Sequence, residues 1–136
     1  MKRLRPQLAT PDDAEAVFYE SFIRCDTPVM TALWADGDVV CVHPGSAAIL
    51  GHEAVCRSWS TIFSNAQRAQ VEYSVVKRTV SNDLAVHNVM EEILTEEADV
   101  AIVLATNVYR RYQSGWLMIE HHASLVQRRS NDRTLQ

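Results

Sequence analysis

The stretch VAIVLATNVYRRYQSGWLMIEHHASLV, residues 100–126, decides the fold class because it contains the two longest strand signals of the chain. Runs rich in apolar and β-branched residues extend over 100–112 and again over 116–126, as expected of strands. A tight turn at 113–115, with the sequence Gln-Ser-Gly, joins the two runs. The sequence therefore predicts a long antiparallel hairpin at the end of the fold.

Helices and shorter strands precede this hairpin. The segment 10–13, Thr-Pro-Asp-Asp, is typical of a helix start, and a second cap at Asp26 indicates a helical hairpin or a broken helix. A strand at 39–42, a third helix from Gly51 and period-two strands from residue 71 onward follow. The order α-α-β-α-β-β-β-β predicts an α+β domain in which a curved, mostly antiparallel sheet wraps around N-terminal helices.

Length and composition indicate one globular domain of 136 residues with a net charge of −4. We expect the domain at residues 10–127, between an N-terminal tail (1–9) and a polar C-terminal tail (128–136). The charge argues against nucleic acid as a partner, and no apolar run is long enough to cross a membrane. The N-terminus has no signal-peptide pattern, so we expect a cytoplasmic protein. Three cysteines without CxxC spacing are expected to be buried hydrophobic residues.

Three motifs resemble one family over residues 11–126. They are LWADGDVVCVHPGSAAILGHEAVCRSWSTIF (33–63), ATNVYRR (105–111) and GWLMIEHHAS (115–124). The chain resembles the SnoaL-like branch of the nuclear-transport-factor-2-like (NTF2-like) superfamily, which includes the ketosteroid isomerases. That resemblance implies a cone-shaped, cystatin-like α+β barrel, an apolar pocket between helices and sheet, and a homodimer formed through the outer sheet face. It does not fix a function, because one fold hosts many activities.

The resemblance also implies candidate catalytic residues. His43, directly before a proline, matches the isomerase base, and a histidine accepts protons near neutral pH. Asn107 matches the protonated aspartic acid of the isomerase oxyanion hole, where an amide could donate a hydrogen bond at any pH. Phe18 occupies the position of the isomerase tyrosine, and Tyr19 is expected to point about 100° away on the helix. Half of the oxyanion hole is therefore expected to be missing.

The last strand offers a replacement for the missing donor. Alternation places only one of His121 and His122 on the pocket side. The family resemblance implies that Trp116 faces inward, which would place His122 on the pocket side and leave His121 outward with Leu117 and Ile119. We therefore predict His43, Asn107 and His122 as catalytic residues. The predicted pocket lining comprises Phe18, Phe22, Trp34, Trp59, Ala105, Tyr109, Trp116, Met118 and Glu120.

The remaining titratable residues are expected to lie at the surface. His52 and His87 resemble surface or interface residues, and the pairs 91–92 and 96–97, each Glu-Glu, are expected at a solvated edge. Cys41, His43 and His122 could in principle bind one metal ion together, but their spacing lacks the pattern of known sites. We expect no metal and no cofactor.

Two hypotheses about function follow. In the first, a small apolar cyclic ligand binds in the pocket and His43 transfers a proton next to its carbonyl, as in an isomerase or a polyketide cyclase. The alternative is a non-catalytic ligand-binding or dimerisation module of the same fold. A third hypothesis is an interaction domain whose cavity is filled by its own side chains.

Overall fold

A computed structural model describes residues 7–65, 70–94 and 97–130. Within these ranges the elements are α1 (Pro11–Arg24), α2 (Thr27–Leu33), β1 (Val40–Val42), β2 (Ile49–Leu50), α3 (His52–Ser64), β3 (Gln70–Val80), β4 (Leu84–Leu94), β5 (Asp99–Tyr112) and β6 (Gly115–Ser130). The strands form one sheet in the order β2-β1-β6-β5-β4-β3. All neighbouring strands are antiparallel except β1 and β6. The predicted α+β class is confirmed, and the curved sheet does not close.

The first two helices begin and end where local chemistry favours it. The Thr10 hydroxyl accepts a backbone N–H of α1 at 3.0 Å, and Pro11 is the first helical residue. The helix ends at Cys25, whose φ of 53° is left-handed, and the Asp26 carboxylate then accepts a backbone N–H of α2 at 3.2 Å. Both predicted caps are confirmed, and they separate two helices.

The core lies between the helices and the inner face of the sheet. It is built by large apolar side chains that are closed to solvent, among them Phe18, Tyr19, Met30, Leu33, Trp34, Trp59, Tyr109 and Met118. Each of the three helices contributes to it, so all three pack against the same side of the sheet. No helix in the described part of the chain is long and apolar enough to cross a membrane.

A β-bulge in β6 changes which side chains face the helices. Tyr109 pairs with Met118, but its neighbour Val108 pairs with Glu120, so Ile119 is an extra residue without a partner on β5. The alternation between inner and outer faces therefore skips one residue at this position. The positions from Glu120 to Leu125 therefore face the side opposite to that expected from uninterrupted counting, and a second extra residue, Val126, restores the count.

The bulge reverses the predicted orientation of the two histidines of β6. His121 pairs with Asn107 on the inner face and is 2% exposed, whereas His122 pairs with Thr106 and is exposed on the outer face. The prediction that His122 and Glu120 face the helices is wrong, because the period-two count was carried across an extra residue. His121 occupies the inner position instead.

The described structure extends a few residues beyond the predicted domain limits at both ends. Strand β6 continues to Ser130, beyond residue 127 at which the sequence placed the domain boundary, and pairs there with Asp99. At the other end, the backbone carbonyl of Leu8 accepts the N–H of Trp116 at 2.9 Å. The Leu8 side chain also packs against the core. Residues 1–6 and 131–136 lie outside the described ranges.

Gly115, at the turn between β5 and β6, lies against the segment before α1. Its φ is +122°, and a Cβ atom there would lie 2.8 Å from the Leu8 nitrogen and 2.9 Å from the Leu8 oxygen. Since the Leu8 carbonyl is held by Trp116, this backbone cannot easily retreat. We expect Gly115→Ala to lower the free energy of unfolding by about 1–3 kcal/mol, measured by urea denaturation.

Gly45→Ala is the matched control for this substitution. Gly45 also has a positive φ, +77°, but nothing lies within 4 Å of its Cβ position. Its replacement therefore reports backbone strain alone. Equal losses of stability in the two variants would show that the contact with Leu8 does not add to the loss in the free energy of unfolding.

Candidate functional site

Four polar side chains form one hydrogen-bonded row on the inner face of the sheet. Asn107 Nδ2 on β5 donates to the hydroxyl of Tyr19 on α1 at 3.0 Å, and that hydroxyl donates to Glu91 Oε2 on β4 at 2.6 Å. Asn107 Oδ1 can only accept, so the proton in its 2.6 Å contact with His121 comes from Nδ1. None of the four side chains is more than 2% exposed. We call His121, Asn107, Tyr19 and Glu91 the inner polar row.

All hydrogen bonds of the inner polar row point the same way. Each donor lies on the His121 side and each acceptor on the Glu91 side, so the row ends on the carboxyl group of Glu91. Chains of hydrogen bonds with one direction polarise one another and strengthen in a low-dielectric interior. The row therefore favours negative charge on Glu91, against the cost of burying a carboxylate.

Burial controls the protonation of both ends of the row. Desolvation raises the pKa of Glu91 to about 7, although the hydrogen bond from Tyr19 opposes this increase. Desolvation also lowers the pKa of His121 to about 3, and repulsion by His43 and His122 adds to the effect. Near neutral pH, His121 is therefore uncharged, while Glu91 exchanges between carboxylic acid and carboxylate.

His43 lies at the end of β1 with one ring nitrogen available as a base. The Ser58 hydroxyl donates to the Val55 carbonyl at 2.6 Å, so its oxygen accepts the proton of His43 Nε2 at 3.0 Å. Nδ1 is then the unprotonated nitrogen, and it has no hydrogen bond to any residue that the structure describes. Burial lowers the pKa of His43, so the ring is neutral at pH 7.

Aromatic rings connect His43 to the inner polar row. The ring centroid of Trp59 lies 4.8 Å from that of His43 and 5.8 Å from that of His121. Phe18 lies 4.9 Å from His121 and 5.6 Å from Trp59. Two predicted site residues, His43 and Asn107, therefore share the inner side of the sheet, with His121 in the place predicted for His122.

The side chains predicted to line a pocket are mostly packed into the core. Seven of them are at most 5% exposed, namely Phe18, Trp34, Trp59, Ala105, Tyr109, Trp116 and Met118. Phe22 is partly buried and contacts Trp59 with 5.1 Å between ring centroids. Glu120 is turned away with His122 by the bulge. The described side chains thus occupy much of the space between helices and sheet.

Besides His121, two members of the inner polar row lie where the sequence did not predict them. Tyr19 was expected to point away from the site, but α1 lies so close to the sheet that both Phe18 and Tyr19 are fully buried. Glu91 was expected at a solvated edge, yet it is 1% exposed. One signal was available: Glu91 shares its period-two face on β4 with the apolar Val89.

Two further histidines also differ from expectation. His87, expected at the surface, is fully buried beneath the first turns of α1, where its Nδ1 lies 3.0 Å from Glu15 Oε2. His52 is partly buried, with Nδ1 2.9 Å from the carbonyl oxygen of Ala35. Among the remaining glutamates expected at an edge, Glu97 is exposed, and the prediction for Glu96 lies outside the described residues.

Cys41, His43 and His122 do not converge on one metal position. Cys41 Sγ lies 3.7 Å from His43 Nε2, but His122 is on the opposite face of the sheet. A different group does converge, since one ligand atom each from Asp12, Glu15 and His87 lie within 4.8 Å of one another.

Comparison with known proteins identifies the family. The model of the SnoaL-like domain matches residues 13–128. The chain belongs to the SnoaL-like domain family. This confirms the family resemblance recognised in the sequence motifs.

Solved structures extend the comparison of this SnoaL-like domain. A candidate calcium/calmodulin-dependent protein kinase type II association domain from Thiobacillus denitrificans is 36% identical, with a TM-score of 0.83 over 90% of this chain and 100% of that one. A candidate dehydratase of the NTF2-like family from Streptomyces avermitilis is 33% identical, with a TM-score of 0.75 over 86% and 99%. A ketosteroid isomerase-like protein from Erwinia carotovora atroseptica, 20% identical, shares the fold with a TM-score of 0.72 over 91% and 99%.

One curated relative is much longer than this chain. The F-box protein SKIP8 of Arabidopsis thaliana is 29% identical over 98 residues, which are 71% of this chain and 41% of that protein. The SnoaL-like domain thus matches less than half of the length of this relative.

Proposed function

We propose that this SnoaL-like domain binds a small, mostly apolar cyclic carbonyl compound between its helices and sheet and transfers a proton next to the carbonyl group. The observation that carries the proposal is the inner polar row, in which a buried carboxyl group receives a hydrogen bond from a tyrosine that is itself held by an amide. Proton transfer next to a carbonyl requires a base and a hydrogen-bond donor for the enolate oxygen.

In this proposal Glu91 takes the proton from the carbon next to the carbonyl group. The protonated acid is a weaker hydrogen-bond acceptor than the carboxylate, so the Tyr19 hydroxyl then turns from Glu91 to donate to the enolate oxygen. A general base is most effective when its pKa lies close to the working pH, and the pKa of Glu91 is raised to about 7. Tyr19 keeps its proton because burial, together with the neighbouring Glu91, raises its pKa. Asn107 Nδ2 donates to the Tyr19 oxygen at 3.0 Å, which fixes the position of that oxygen and leaves the hydroxyl hydrogen free to change its acceptor.

A ligand would reach Glu91 past Tyr73. This ring is 39% exposed and stacks on the buried ring of Tyr19, with the two centroids 4.0 Å apart. Tyr73 also pairs with Glu91 across β3 and β4, so its side chain covers the carboxyl end of the inner polar row. Rotation of the Tyr73 side chain would therefore open this end of the row to a ligand.

His43, which the sequence predicts as the base, is the second candidate for this role. Its Nδ1 is unprotonated, and its ring is less buried than Glu91. The lowered pKa makes it a weaker base than an ordinary histidine, which is why Glu91 is preferred. His122 is not part of the proposal, because it lies on the outer face.

Exchange of the hydrogens next to a carbonyl tests the proposal. The purified chain is incubated in D₂O with a panel of cyclic ketones, steroids, phenols and aromatic polyketides, and deuterium incorporation is followed by mass spectrometry. We expect Glu91→Gln to slow exchange by about 10²–10⁴-fold, because a general base contributes that much. Glu92→Gln is the matched control, since the neighbouring carboxylate is partly exposed and near Arg129 instead of Tyr19.

His43→Gln separates the two candidate bases. Normal exchange in Glu91→Gln with slow exchange in His43→Gln would move the role of base to His43 and overturn the role of Glu91. Normal exchange in both variants would show that neither residue is the base. No exchange above the rate of the buffer with any compound of the panel would argue against proton transfer altogether.

A second candidate function is a non-catalytic binding or association module. It is supported by the tight burial of the side chains predicted to line a pocket. The similar chain from Thiobacillus denitrificans is named a candidate association domain. Leu117 and Ile119, the residues from which the sequence predicted an outer dimer face, pack against the core. Two other apolar side chains, Val76 and Leu104, are 66% and 48% exposed beside a groove on the outer face. We therefore propose that an association module of this kind would form a homodimer through the outer face.

Sedimentation equilibrium tests the association module. A mass of two chains, together with no exchange on the ketone panel, would favour it over proton transfer. A mass equal to one chain would exclude the association module. The cytoplasmic location, the absence of nucleic-acid partners and the independence from cofactors stay predictions from the sequence.

A further inference from the structure

A second polar cluster lies at the start of α1, away from the candidate base His43. Asp12 and Glu15 are three residues apart on one side of the helix. His87 of β4 faces them from the sheet, and its cross-strand partner on β3 is Arg78. Arg78 Nε donates to Asp12 Oδ1 at 2.8 Å, and the Tyr109 hydroxyl donates to Glu15 Oε2 at 3.1 Å.

The His87 ring is buried without a properly formed hydrogen bond. It is fully closed to solvent, and neither ring nitrogen makes a hydrogen bond of acceptable geometry to the described residues. Nδ1 nevertheless lies 3.0 Å from Glu15 Oε2, and Nε2 lies 3.9 Å from Asp12 Oδ1. Buried polar atoms nearly always have a partner, so this ring points to a group that the described side chains do not provide.

One distance in this cluster matches that between two ligands of one metal ion. Zinc binds histidine nitrogen and carboxylate oxygen at about 2.0–2.2 Å, so two adjacent ligands of one ion lie about 3 Å apart. The 3.0 Å between His87 Nδ1 and Glu15 Oε2 fits this value. Asp12 completes a set of three ligand atoms within 4.8 Å and is 61% exposed, so its carboxylate has room to adjust.

We propose that Asp12, Glu15 and His87 form a binding site for a divalent transition-metal ion of the zinc type. One imidazole and two carboxylates suit such an ion better than Ca²⁺ or Mg²⁺, which prefer oxygen ligands alone. Tyr109 is placed as an outer partner, since its hydroxyl orients the Glu15 carboxylate. The site uses other residues than the proton transfer proposed for Glu91, although the charge of Glu15 contributes to the raised pKa of Glu91.

Arg78 competes with the ion for Asp12. Its guanidinium donates to the same carboxylate, so an ion must either use the other oxygen or displace the arginine. A positive charge beside the site also repels a dication. Arg78 therefore lowers the affinity of the site, and removing it must have the opposite effect from removing a ligand.

Zinc titration of the full chain tests this site. The protein is treated with EDTA, dialysed and titrated with Zn²⁺ at neutral pH by competition with a chromophoric chelator. We expect Asp12→Asn to weaken binding at least tenfold, whereas Asp13→Asn, an exposed neighbour in the same helical turn, leaves it unchanged. Arg78→Gln is expected to tighten binding severalfold, with Lys77→Gln as its control. All four positions are exposed, so these variants are expected to fold.

Three results would overturn the site. The first is the absence of any zinc binding to the EDTA-treated chain. The second is equal affinity in Asp12→Asn and Asp13→Asn, which would show adventitious binding elsewhere, such as at the exposed His122. The third is a Co²⁺ complex with a thiolate charge-transfer band, which would place the ion on a cysteine instead of on nitrogen and oxygen ligands.

Discussion

Replacement of Phe18 by alanine is expected to lower the free energy of unfolding by about 3–5 kcal/mol. The side chain is fully buried at the centre of the aromatic cluster. Its ring centroid lies within 6.1 Å of those of Tyr19, Phe22, Trp59 and His121. Removing the ring leaves a cavity that the surrounding helices and sheet can fill only in part, so both transfer and packing energy are lost. Denaturant unfolding at a fixed protein concentration measures the effect.

Two control variants show how much of the lost stability in Phe18→Ala comes from the aromatic ring. Phe18→Leu keeps most of the volume and is expected to cost about 1–2 kcal/mol. Val17→Ala removes a partly buried neighbour on α1 and is expected to cost about 1 kcal/mol or less. A loss in Phe18→Ala no larger than that in Val17→Ala would show that the aromatic cluster contributes little to stability.

Glu91→Gln is expected to stabilise the protein at alkaline pH. Burial raises the pKa of Glu91 from 4.5 to about 7, so the folded state binds a proton that the unfolded state has released between these pH values. Stability therefore falls as pH rises from about 4.5 through 7, and the penalty above pH 7 is about 3 kcal/mol. Glutamine resembles the protonated acid and has no such penalty.

The difference between the unfolding curves of wild type and Glu91→Gln isolates this effect. We expect the variant to be more stable by up to about 3 kcal/mol at pH 8, with the gain disappearing near pH 4.5. His121, whose pKa is lowered to about 3, makes both proteins less stable as pH falls below 6.5, and this contribution cancels in the difference. Glu92→Gln should show no gain that depends on pH. A constant difference across this range would contradict the buried, titrating Glu91.

The elements of the fold could be predicted from local chemistry. The caps at Thr10 and Asp26, the third helix after Gly51 and the hairpin turn before Gly115 all lie where the sequence indicated. These features depend on a few neighbouring residues, and so they can be recognised in one sequence. His43 likewise lies at the end of a strand on the inner side, because the proline after it ends the strand.

Three members of the inner polar row, all except Asn107, could not be predicted in the same way. Tyr19 and Glu91 are 72 positions apart, and each is buried only because the other satisfies its polar group. A single glutamate on a strand gives no indication of such a partner. The orientation of His121 depended on the bulge at Ile119, and no glycine or proline in that stretch marks it.

The bulge gives β6 a position at which the length of the chain can change without changing the chemistry of the interior. Because Ile119 has no partner on β5, deleting it would leave Met118 and His121 opposite Tyr109 and Asn107, in a regular strand. Losing one residue between His122 and Leu125 would instead turn the following part of the strand over. Relatives that differ by one codon at the bulge are therefore expected to keep the same inward-facing residues, and alignments should place a gap there.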